Sequence, residues 1–404
     1  MMVKLQQRNV LLGVTGGIAA YKALELLRLL VKEGARVWTI MSRAATEFVG
    51  PLSFQALSGN PVRTEMFSHT QESQIQHIAL ADLAHVVVVA PATANFVAKM
   101  AHGLADDMLS TTVLAVRCPV VVCPAMNVNM YEHPATQRNM EILKQRGVWL
   151  VEPEEGELAC GWEGRGRLAD LDAIVETIKA ALSPQDLTQE RVLVTAGPTW
   201  ESMDPVRFIS NRSSGKMGFA IARVARRRGA AVTLVSGPTG LKPPPGVGFV
   251  QVESASQMMD AVMEKMQEAT VVVKAAAVAD YKPEEFQEHK IKKDQEKWSL
   301  SLTKTADILA QLGQRKGNRI LVGFAAETRS LLENAKDKLA RKNLDWIVAN
   351  DVTKPGSGFG VETNQVVIMG RDGTIEELPQ ISKEEVAWAI LDKVVHTIRA
   401  RKQK

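Results

Sequence analysis

Two stretches of this chain share one pattern, and that pattern restricts the fold more than any other feature. The first, 9–42, reads NVLLGVTGGIAAYKALELLRLLVKEGARVWTIMS: an apolar run, a glycine turn, an amphipathic segment and a second apolar run. The second, 191–237, repeats this order from RVLVTAGPTW to VTLVSG. Apolar strands that alternate with amphipathic helices form βαβ units, which assemble into parallel sheets with helices on both faces. The sequence therefore predicts an α/β protein with two doubly wound domains.

Further apolar runs supply more strands for both sheets. They are short, rich in valine and typical of strands buried on both faces: 85–92, 118–125, 270–280, 319–328 and 344–351. Consecutive prolines in GLKPPPGVG predict a loop. A chain of 404 residues is too long for one ordinary core. The polar segment SPQDLTQE separates the halves, so we expect domains over 1–189 and 190–404.

Composition excludes several classes of protein. Apolar residues make up 46% of the chain and charged residues 23%, as in ordinary globular proteins. The formal net charge of +4 is too small to indicate a nucleic-acid partner, and no apolar run is long enough to span a membrane. The start lacks a secretory signal, and three cysteines without framework spacing argue against a disulfide scaffold. We expect a cytoplasmic protein that acts on small anionic molecules.

Glycines and polar residues follow the predicted strands of the first half. Gly16 and Gly17 would let the backbone approach a phosphate, although the segment is not GxGxxG and the glycines could simply form the turn. Thr93 and Asn95 end a neighbouring strand, and Asn127 ends the next between two methionines. Such residues are typical of polar groups in an apolar pocket.

Two other side chains of the first half leave their interpretation open. His77 lies in IQHIALAD, whose apolar spacing is typical of a structural histidine. Cys160 lies in ELACGWEGRGRL, whose glycines predict a flexible loop, whereas Cys118 and Cys123 flank an apolar run. A lone thiol on a loop is usually accidental or partly buried.

The second half offers two candidate anion sites. SNRSSGKMG resembles part of a phosphate loop, but GxxxxGK[ST] would need other residues at Ser210 and Met217. The hydroxyl-rich stretch, with Arg207 and Asn211 nearby, still suits an anion at a helix start. The lysines of HKIKKD, 289–294, are either a solvated face or a second anion contact.

Together these motifs resemble the bifunctional phosphopantothenoylcysteine decarboxylase and phosphopantothenate–cysteine ligase family of coenzyme A biosynthesis. The matching motifs cover nearly the whole chain: GGIAAYK, QHIAL, APATAN, PAMNxxM, ACG, TAGPTxExxDPVRxISNxSSGKMG, AAAVADY, KIKK, GFAAET and RKNLDxIxAND. The resemblance implies two Rossmann-like domains. The first would be a flavodoxin-like, FMN-binding cysteine decarboxylase domain, and the second a nucleotide-binding ligase domain.

For the first half, the resemblance implies decarboxylation through transient oxidation. FMN would take two electrons from the –CH2–SH group of the substrate, and the thioaldehyde would accept the electrons released with CO2. His77 would be the base of the oxidation step. Asn127 would hold the substrate carboxylate beside Met130, and Cys160 would protonate the enethiol. The implied FMN contacts are Gly17, Ile18, Ser42, Thr93, Asn95 and Ala125.

For the second half, the resemblance implies ligation through an acyl-cytidylate made from CTP. Lys290 would serve formation of this intermediate, and Asn211, with Arg207 nearby, would hold it for attack by the cysteine amine. The implied nucleotide contacts are Asp280, Ala306, Asp307, Ile308, Leu309, Phe324, Lys338 and Lys342. No acidic cluster marks a metal cage, so Mg²⁺ or Mn²⁺ would bind through the phosphates of CTP.

The resemblance also implies partners and an assembly. The substrates would be 4′-phosphopantothenate, L-cysteine and CTP. The FMN domains would form trimers, often assembled into dodecamers, and the ligase domains would pair as dimers. In such trimers the FMN site is shared, so His77 could act across an interface.

Three alternatives remain at this stage. A nicotinamide-dependent oxidoreductase predicts a complete GxGxxG and an acidic residue after the second strand, where this chain has Ser42 and Arg43. A non-catalytic flavoprotein predicts the loss of His77, Asn127 or Cys160, all of which are present. A fusion with one decayed half predicts an incomplete set of motifs in that half.

Overall fold

The computed structural model describes residues 4–66, 76–157, 161–292, 298–327, 330–351, 353, 356, 358 and 360–402. It contains two compact units, Val3–Pro184 and Gln185–Lys404, which divide a few residues before the boundary expected after residue 189. Within the described ranges, no helix is both long and apolar enough to cross a membrane.

The N-terminal unit alternates strands with helices. Its strands are β1 (Asn9–Val14), β2 (Arg36–Met41), β3 (Val62–Arg63), β4 (Val86–Ala92), β5 (Val120–Pro124), β6 (Trp149–Leu150), β7 (Glu154–Glu157) and β8 (Glu163–Arg167). Its helices are α1 (Lys22–Lys32), α2 (Arg43–Thr46), α3 (Pro51–Ser58), α4 (Gln76–Leu83), α5 (Ala94–His102), α6 (Met108–Ala115), α7 (Val128–Glu132), α8 (Pro134–Gln145) and α9 (Leu171–Leu182), with a 3-10 helix at Ile18–Tyr21 before α1.

Six of these strands form one parallel sheet in the order β3-β2-β1-β4-β5-β6. Every residue of β4 is buried, as expected of a central strand with helices on both faces. One core cluster includes Leu26 of α1 and Ile174 of α9, and the other includes Phe96 of α5 and Leu109 of α6. The strand order reverses between β1 and β4. In such sheets ligands bind beyond the carboxyl ends of the strands at this point.

In the glycine-rich stretch that ends at Leu168, residues Glu163–Arg167 form a strand where the sequence predicted a loop. Strands β7 and β8 pair antiparallel as a hairpin, and residues 158–160 between them lie outside the described ranges. The prediction was wrong because it took the glycines as a sign of flexibility. A Cβ on Gly164 would lie 2.7 Å from Val128 Cγ2, and one on Gly166 would lie 2.1 Å from Met126 O. These glycines therefore allow the hairpin to lie directly against the segment after β5.

The C-terminal unit repeats the alternation and extends it. Its strands are β9 (Arg191–Ala196), β10 (Trp200–Ser202), β11 (Phe208–Ser210), β12 (Ala231–Ser236), β13 (Gly248–Gln251), β14 (Val271–Lys274), β15 (Tyr281–Pro283), β16 (Leu302–Lys304), β17 (Ile320–Glu327), β18 (Trp346–Asp351), β19 (Thr363–Gly370) and β20 (Ile375–Ser382). Its helices are α10 (Lys216–Arg227), α11 (Ala255–Lys265), α12 (Ile308–Gln314), α13 (Leu331–Arg341) and α14 (Lys383–Lys402).

Its main sheet runs β13-β12-β9-β14-β17-β18-β19-β20. The first six strands are parallel, and β19 and β20 add to one edge antiparallel. Two small antiparallel ribbons, β10 with β11 and β15 with β16, lie outside this sheet. The prediction of an α/β protein with two doubly wound domains is confirmed. The sequence did not predict the antiparallel extension or the ribbons.

Candidate functional site

Each unit has a candidate site at the carboxyl edge of its parallel sheet. In the N-terminal unit a cavity of about 560 Å³ lies beyond β1, β4 and β5. The hairpin β7–β8 supplies part of its wall through Glu157, Gly166 and Arg167. The volume is within the range of cofactor and ligand pockets. Five predicted site residues line this cavity together with Asn127: Gly17, Ile18, Thr93, Ala125 and Met130.

The two glycines after β1 have different surroundings. A Cβ on Gly16 would lie 2.4 Å from the Cβ and 2.7 Å from the carbonyl carbon of Ala44, so Gly16 is required for packing against α2. A Cβ on Gly17 would meet only Thr93 Cγ2, at 3.7 Å. Gly17 therefore leaves open space on the cavity side, where a ligand can approach the backbone.

A buried threonine that the sequence analysis missed holds the ends of β1 and β4 together. The Thr15 hydroxyl donates to Pro91 O at 2.8 Å and accepts from Thr93 N–H at 3.0 Å. Thr15 is 2% exposed. Its two hydrogen bonds fix the backbone of Thr93, which lines the cavity. A hydroxyl at the end of an otherwise apolar strand was the available signal.

The segment after β5 carries Asn127 into the cavity. Asn127 precedes α7, and its side-chain oxygen accepts from Asn129 N–H at 2.9 Å. The preceding residue, Met126, donates its N–H to Gly166 O at 2.9 Å. Both contacts are local to the hairpin and the start of α7, so they hold the backbone on either side of Asn127.

Four other predicted residues lie elsewhere or are not described. Ser42 caps α2 by accepting from Ala45 N–H at 3.3 Å and does not line the cavity. Asn95 is exposed in the first turn of α5, also away from the cavity lining. His77 is partly buried on α4 and is not brought to this cavity within the chain. Cys160 lies outside the described residues.

The aromatic residue beside this site forms a polar contact. Tyr131 is 6% exposed, and its hydroxyl donates to Glu152 Oε2 at 2.6 Å. Burial, together with this hydrogen bond and the carboxylate charge, raises the pKa of Tyr131 to about 12. The phenol therefore stays protonated and anchors α7, next to Met130.

The C-terminal unit has two adjoining cavities, of about 300 and 420 Å³. All the predicted nucleotide contacts line the smaller one: Asp280, Ala306, Asp307, Ile308, Leu309, Phe324, Lys338 and Lys342. The larger one is lined by Asn211 and the SSGKMG segment at the start of α10. The cavities share Lys274, Val278, Asp280, Phe324 and Lys338, so they form one continuous cleft.

An ion pair shapes the smaller cavity. Asp307 Oδ1 caps α12 by accepting from Ala310 N–H at 2.9 Å, and Oδ2 lies 2.5 Å from Lys342 Nζ. Partial burial would raise the pKa of Asp307, but the hydrogen bonds from Lys342 and Ala310 outweigh it and lower that pKa. The carboxylate therefore stays ionised and fixes Lys342 at the end of α13.

The side-chain amide group of Asn211 donates its hydrogen bonds to backbone carbonyls of the protein. Nδ2 donates to Ala277 O at 3.2 Å and to Val278 O at 3.0 Å. These carbonyls belong to the segment after β14 that lines the larger cavity. Asn211 therefore positions this backbone through Nδ2, and its Oδ1 takes no part in these two hydrogen bonds.

Arg207 and Lys290 do not line either cavity, but a buried aspartate connects their segments. Asp204 Oδ1 accepts from the N–H groups of Val206 and Arg207, both at 2.8 Å, and Oδ2 accepts from Ile291 N–H at 3.2 Å. Arg207 Nη2 donates to Ile291 O at 3.2 Å. Burial would raise the pKa of Asp204, but these N–H donors and Arg207 outweigh it and lower that pKa. The exposed Lys290 thus lies directly before a segment that Asp204 and Arg207 hold through Ile291.

The sequence analysis also missed Lys274, which both cavities share. Its signal was a charge that interrupts the apolar run VVVKAAAVA at the end of β14. In the described part of the chain, no group of three or more His, Cys, Asp or Glu side chains could hold a metal ion.

Comparison with known proteins identifies the family of this chain. The flavoprotein family model matches residues 2–183, and the model for the C-terminal domain of DNA/pantothenate metabolism flavoproteins matches 187–398. The chain is 49% identical to the coenzyme A biosynthesis bifunctional protein CoaBC of Bacillus subtilis (strain 168), over 96% of this chain and 97% of that protein. It is 45% identical to the protein of the same name from Escherichia coli (strain K12), over 97% and 98%.

A solved structure, that of the C-terminal domain of a coenzyme A biosynthesis bifunctional protein CoaBC, is 46% identical and covers 54% of this chain and 99% of that one, with a TM-score of 0.47. The resemblance inferred from the motifs is confirmed by the full-length relatives. Two domain models that together span the chain, and relatives that match it from end to end, show that it belongs to the family of bifunctional CoaBC proteins of coenzyme A biosynthesis.

Proposed function

We propose that this chain is a bifunctional enzyme of coenzyme A biosynthesis. Its C-terminal unit ligates 4′-phosphopantothenate to L-cysteine with CTP, and its N-terminal unit decarboxylates the 4′-phosphopantothenoylcysteine to 4′-phosphopantetheine. The observation that carries this proposal is the pair of sites. In a chain of this family, each unit gathers most of its motif residues around a cavity at the carboxyl edge of its sheet.

The cavity of the N-terminal unit suits FMN. Gly17 leaves its cavity side open, Thr93 is held by Thr15, and the lining is largely apolar with a few polar groups, as in flavin and other cofactor pockets. Gly17, Ile18, Thr93 and Ala125 would contact the flavin directly. Ser42 and Asn95 lie outside the cavity lining, so their contacts would be to parts of the cofactor that extend beyond it.

Different residues around this cavity would serve different steps of the decarboxylation. Bound FMN would supply a reversible acceptor for two electrons from the substrate –CH2–SH group. Asn127 would hold the substrate carboxylate with its side-chain amide, and Met130, 49% exposed, would cover the substrate's apolar part. Cys160 would donate a proton to the enethiol left after loss of CO2, and the hairpin that bears it would exclude water.

His77 would be the base that accepts a proton during oxidation of the substrate. Because it does not line the cavity of its own chain, we infer that it serves the cavity of a neighbouring copy. This arrangement requires an oligomer of the N-terminal units, which we propose to be a trimer, assembled further through dimers of the C-terminal units into a dodecamer.

The smaller cavity of the C-terminal unit would bind CTP. Phe324 and Ala306 to Leu309 would surround the base and ribose. Lys338 and Lys342, the latter fixed by Asp307, would face the phosphates. In the described residues no cluster could hold a metal by itself, so Mg²⁺ or Mn²⁺ would be bound mainly by the phosphate oxygens of CTP.

The larger cavity would bind the 4′-phosphopantothenoyl group. The pantothenate carboxylate attacks the α-phosphorus of CTP and releases pyrophosphate, and the cysteine amine then displaces CMP. Lys290, whose exposed side chain lies outside both cavity linings, would reach towards the phosphates in the first step and neutralise charge that develops on them. Asn211 would keep the segment at Ala277 and Val278 in place for the second step, and Arg207 would hold the segment that leads from Lys290.

One incubation tests both activities. Purified protein with 4′-phosphopantothenate, cysteine, CTP and Mg²⁺ should yield 4′-phosphopantetheine, CMP, pyrophosphate and CO2, identified by mass spectrometry. Accumulation of 4′-phosphopantothenoylcysteine in a protein that retains FMN would support the non-catalytic flavoprotein alternative for the N-terminal unit. No consumption of substrates by folded, flavin-loaded protein would refute the whole proposal. As an enzyme of this pathway, the chain would act in the cytoplasm.

A further inference from the structure

Lys274 is a charged residue at the end of an otherwise buried strand. The three valines before it in β14 are buried, and Lys274 is partly buried at the carboxyl end of the strand. Its position is the point where the two cavities of the C-terminal unit meet, since it lines both of them. None of the motif roles proposed above involves this side chain.

The ammonium group of Lys274 is poorly satisfied. Within the described residues its Nζ makes one hydrogen bond, to Ala276 O at 3.0 Å, and no carboxylate lies within ion-pair distance. An ammonium group has three donors, so two remain available to a ligand. By contrast, Lys342 in the same cleft is paired with Asp307 at 2.5 Å.

A separate cavity of the C-terminal unit is also lined by cationic side chains, but their donors are used by the protein. It has a volume of about 620 Å³ and lies near the starts of β14 and β17, at the opposite edge of the sheet. Its buried Lys316 lies 2.7 Å from Asp345, and its Arg401 bonds Asp345 and Asn318 O. Because those donors are already used by the protein, we attribute no ligand to that cavity.

The charges around Lys274 favour an anion. Lys338 on α13 faces it with the same charge, and Asp307 before α12 and Asp280 after β14 face it with the opposite charge. The cleft as a whole presents seven cationic side chains against these two carboxylates: Arg212, Lys216, Lys274, Lys304, Lys338, Lys342 and Lys383. Tyr281 is the remaining titratable group of the lining.

In this environment the protonation of Lys274 depends on pH near neutrality and on whether an anion is bound. Burial, followed by repulsion from Lys338, lowers the pKa of Lys274 to about 8, despite attraction from Asp307 and Asp280. A phosphate bound against Nζ would favour the ammonium form and raise that pKa again. Binding would then take up a proton, and affinity would fall as pH rises above about 8.

We propose that Lys274 is a further binding residue of this cleft, and that its ammonium group holds the α-phosphate of the nucleotide where the two cavities meet. The α-phosphate is common to CTP, to the acyl-cytidylate and to CMP, so one residue at this junction would serve every stage. This inference rests on the proposed ligase function. It adds one binding residue and predicts that nucleotide binding is coupled to proton uptake.

Isothermal titration calorimetry tests it with CMP alone and with CTP plus Mg²⁺. Lys274→Met removes the charge at similar volume and should weaken both ligands about tenfold or more, since bonds between charged groups are lost. Lys336→Met removes an equal charge from an exposed position on α13 and should bind both ligands like the wild type.

Proton uptake gives a readout that a structural role would not change. Titrations of the wild type at pH 8, in buffers of different ionisation enthalpy, should show uptake of up to about half a proton per site. Lys336→Met should retain this uptake and Lys274→Met should lose it. An absence of uptake by the unmodified protein would overturn the proposal even where Lys274→Met fails to fold.

The two proposals fail in different ways. Equal affinities for wild type and Lys274→Met, or no proton uptake by the wild type, would overturn the role of Lys274 and leave the ligase function intact. A wild type that binds neither CMP nor CTP would overturn both.

Discussion

The carbonyl oxygen of Gly166 accepts a hydrogen bond from Met126 N–H at 2.9 Å, and a Cβ on Gly166 would lie 2.1 Å from Met126 O. The hairpin β7–β8 is therefore fixed to the backbone beside Asn127, and only glycine permits this contact. The contact therefore holds β8 beside Asn127, one of the proposed decarboxylation residues.

Replacing Gly166 by alanine should disturb this contact and the cavity with it. The overlap with Met126 and the positive φ of 154° together should cost at least about 2 kcal/mol of folding free energy. Thermal unfolding and flavin absorbance of the purified protein measure both effects. Gly103→Ala is the control: it has a positive φ of 70° but no neighbour within 4 Å, so it should cost about 1 kcal/mol and retain the flavin. Equal behaviour of the two variants would contradict the packing role of Gly166.

Alanine at Gly16 and at Gly17 should have opposite consequences. Gly16→Ala overlaps the backbone of Ala44 and should lower stability by about 2–3 kcal/mol. Gly17→Ala has room in the protein, so its unfolding temperature without flavin should change little, while its added methyl group enters the cavity and should weaken FMN binding. Unfolding of the flavin-free proteins and flavin titration separate the effects. Normal FMN affinity in Gly17→Ala would remove Gly17 from the cofactor site.

Asp204→Ala should loosen the segment that follows Lys290. Three backbone N–H groups lose their acceptor, including that of Ile291. We expect faster proteolysis near 289–292 and slower release of pyrophosphate from CTP. Binding of CMP should change less, because Asp204 does not line the nucleotide cavity. Unchanged proteolysis would indicate that other contacts hold this segment.

The same aspartate should contribute to the pH dependence of stability. Its pKa is lowered in the folded protein, so its stabilising effect is complete above the unfolded pKa of an aspartate. The effect should disappear as pH falls through the lowered folded pKa. Urea unfolding of wild type and Asp204→Asn across acidic pH checks this, and the difference between them should shrink as the pH falls. A difference that stays constant would contradict the assignment.

Lys290→Gln should abolish CTP-dependent release of pyrophosphate without changing the fold. The side chain is exposed, so the substitution removes charge at little structural cost. The measurement is pyrophosphate release with 4′-phosphopantothenate and CTP, and decarboxylation of supplied 4′-phosphopantothenoylcysteine is the internal control. Release at the wild-type rate would refute the role of Lys290.

Mixed oligomers of two inactive variants should recover decarboxylase activity. His77→Asn should stop the reaction before flavin reduction, and Cys160→Ser should release CO2 but stall at the enethiol. If His77 serves the cavity of a neighbouring copy, co-expressed variants will contain some sites with both residues intact. Formation of 4′-phosphopantetheine by the mixture, and by neither variant alone, is the expected result. No recovery in verified mixed oligomers would place His77 and Cys160 in the same chain's site.

Much of the site could be predicted because its signals are local. Asn127, Thr93 and Asp280 follow the ends of β5, β4 and β14, and parallel strands bring their carboxyl ends to one edge. Thr15 and Lys274 carried weaker signals, each a polar residue at the end of an apolar strand. The contact of Asp204 with Ile291 joins residues 87 positions apart, so no local pattern indicated it.

The sequence by itself determined the two doubly wound units and the family, and it supplied most of the candidate residues that line the cavities. Strand and helix periodicity, turn glycines and motif order are properties of neighbouring residues and can be read along the chain. Only the tertiary structure decided why particular glycines are needed. The sequence shows glycine at positions 16, 17 and 166 but not what lies beside each one. In the folded protein Gly16 packs against Ala44, Gly17 borders an open cavity and Gly166 packs against Met126. It also decided the charge environment of Lys274, because burial and the approach of Lys338 come from elements that meet only in the folded protein.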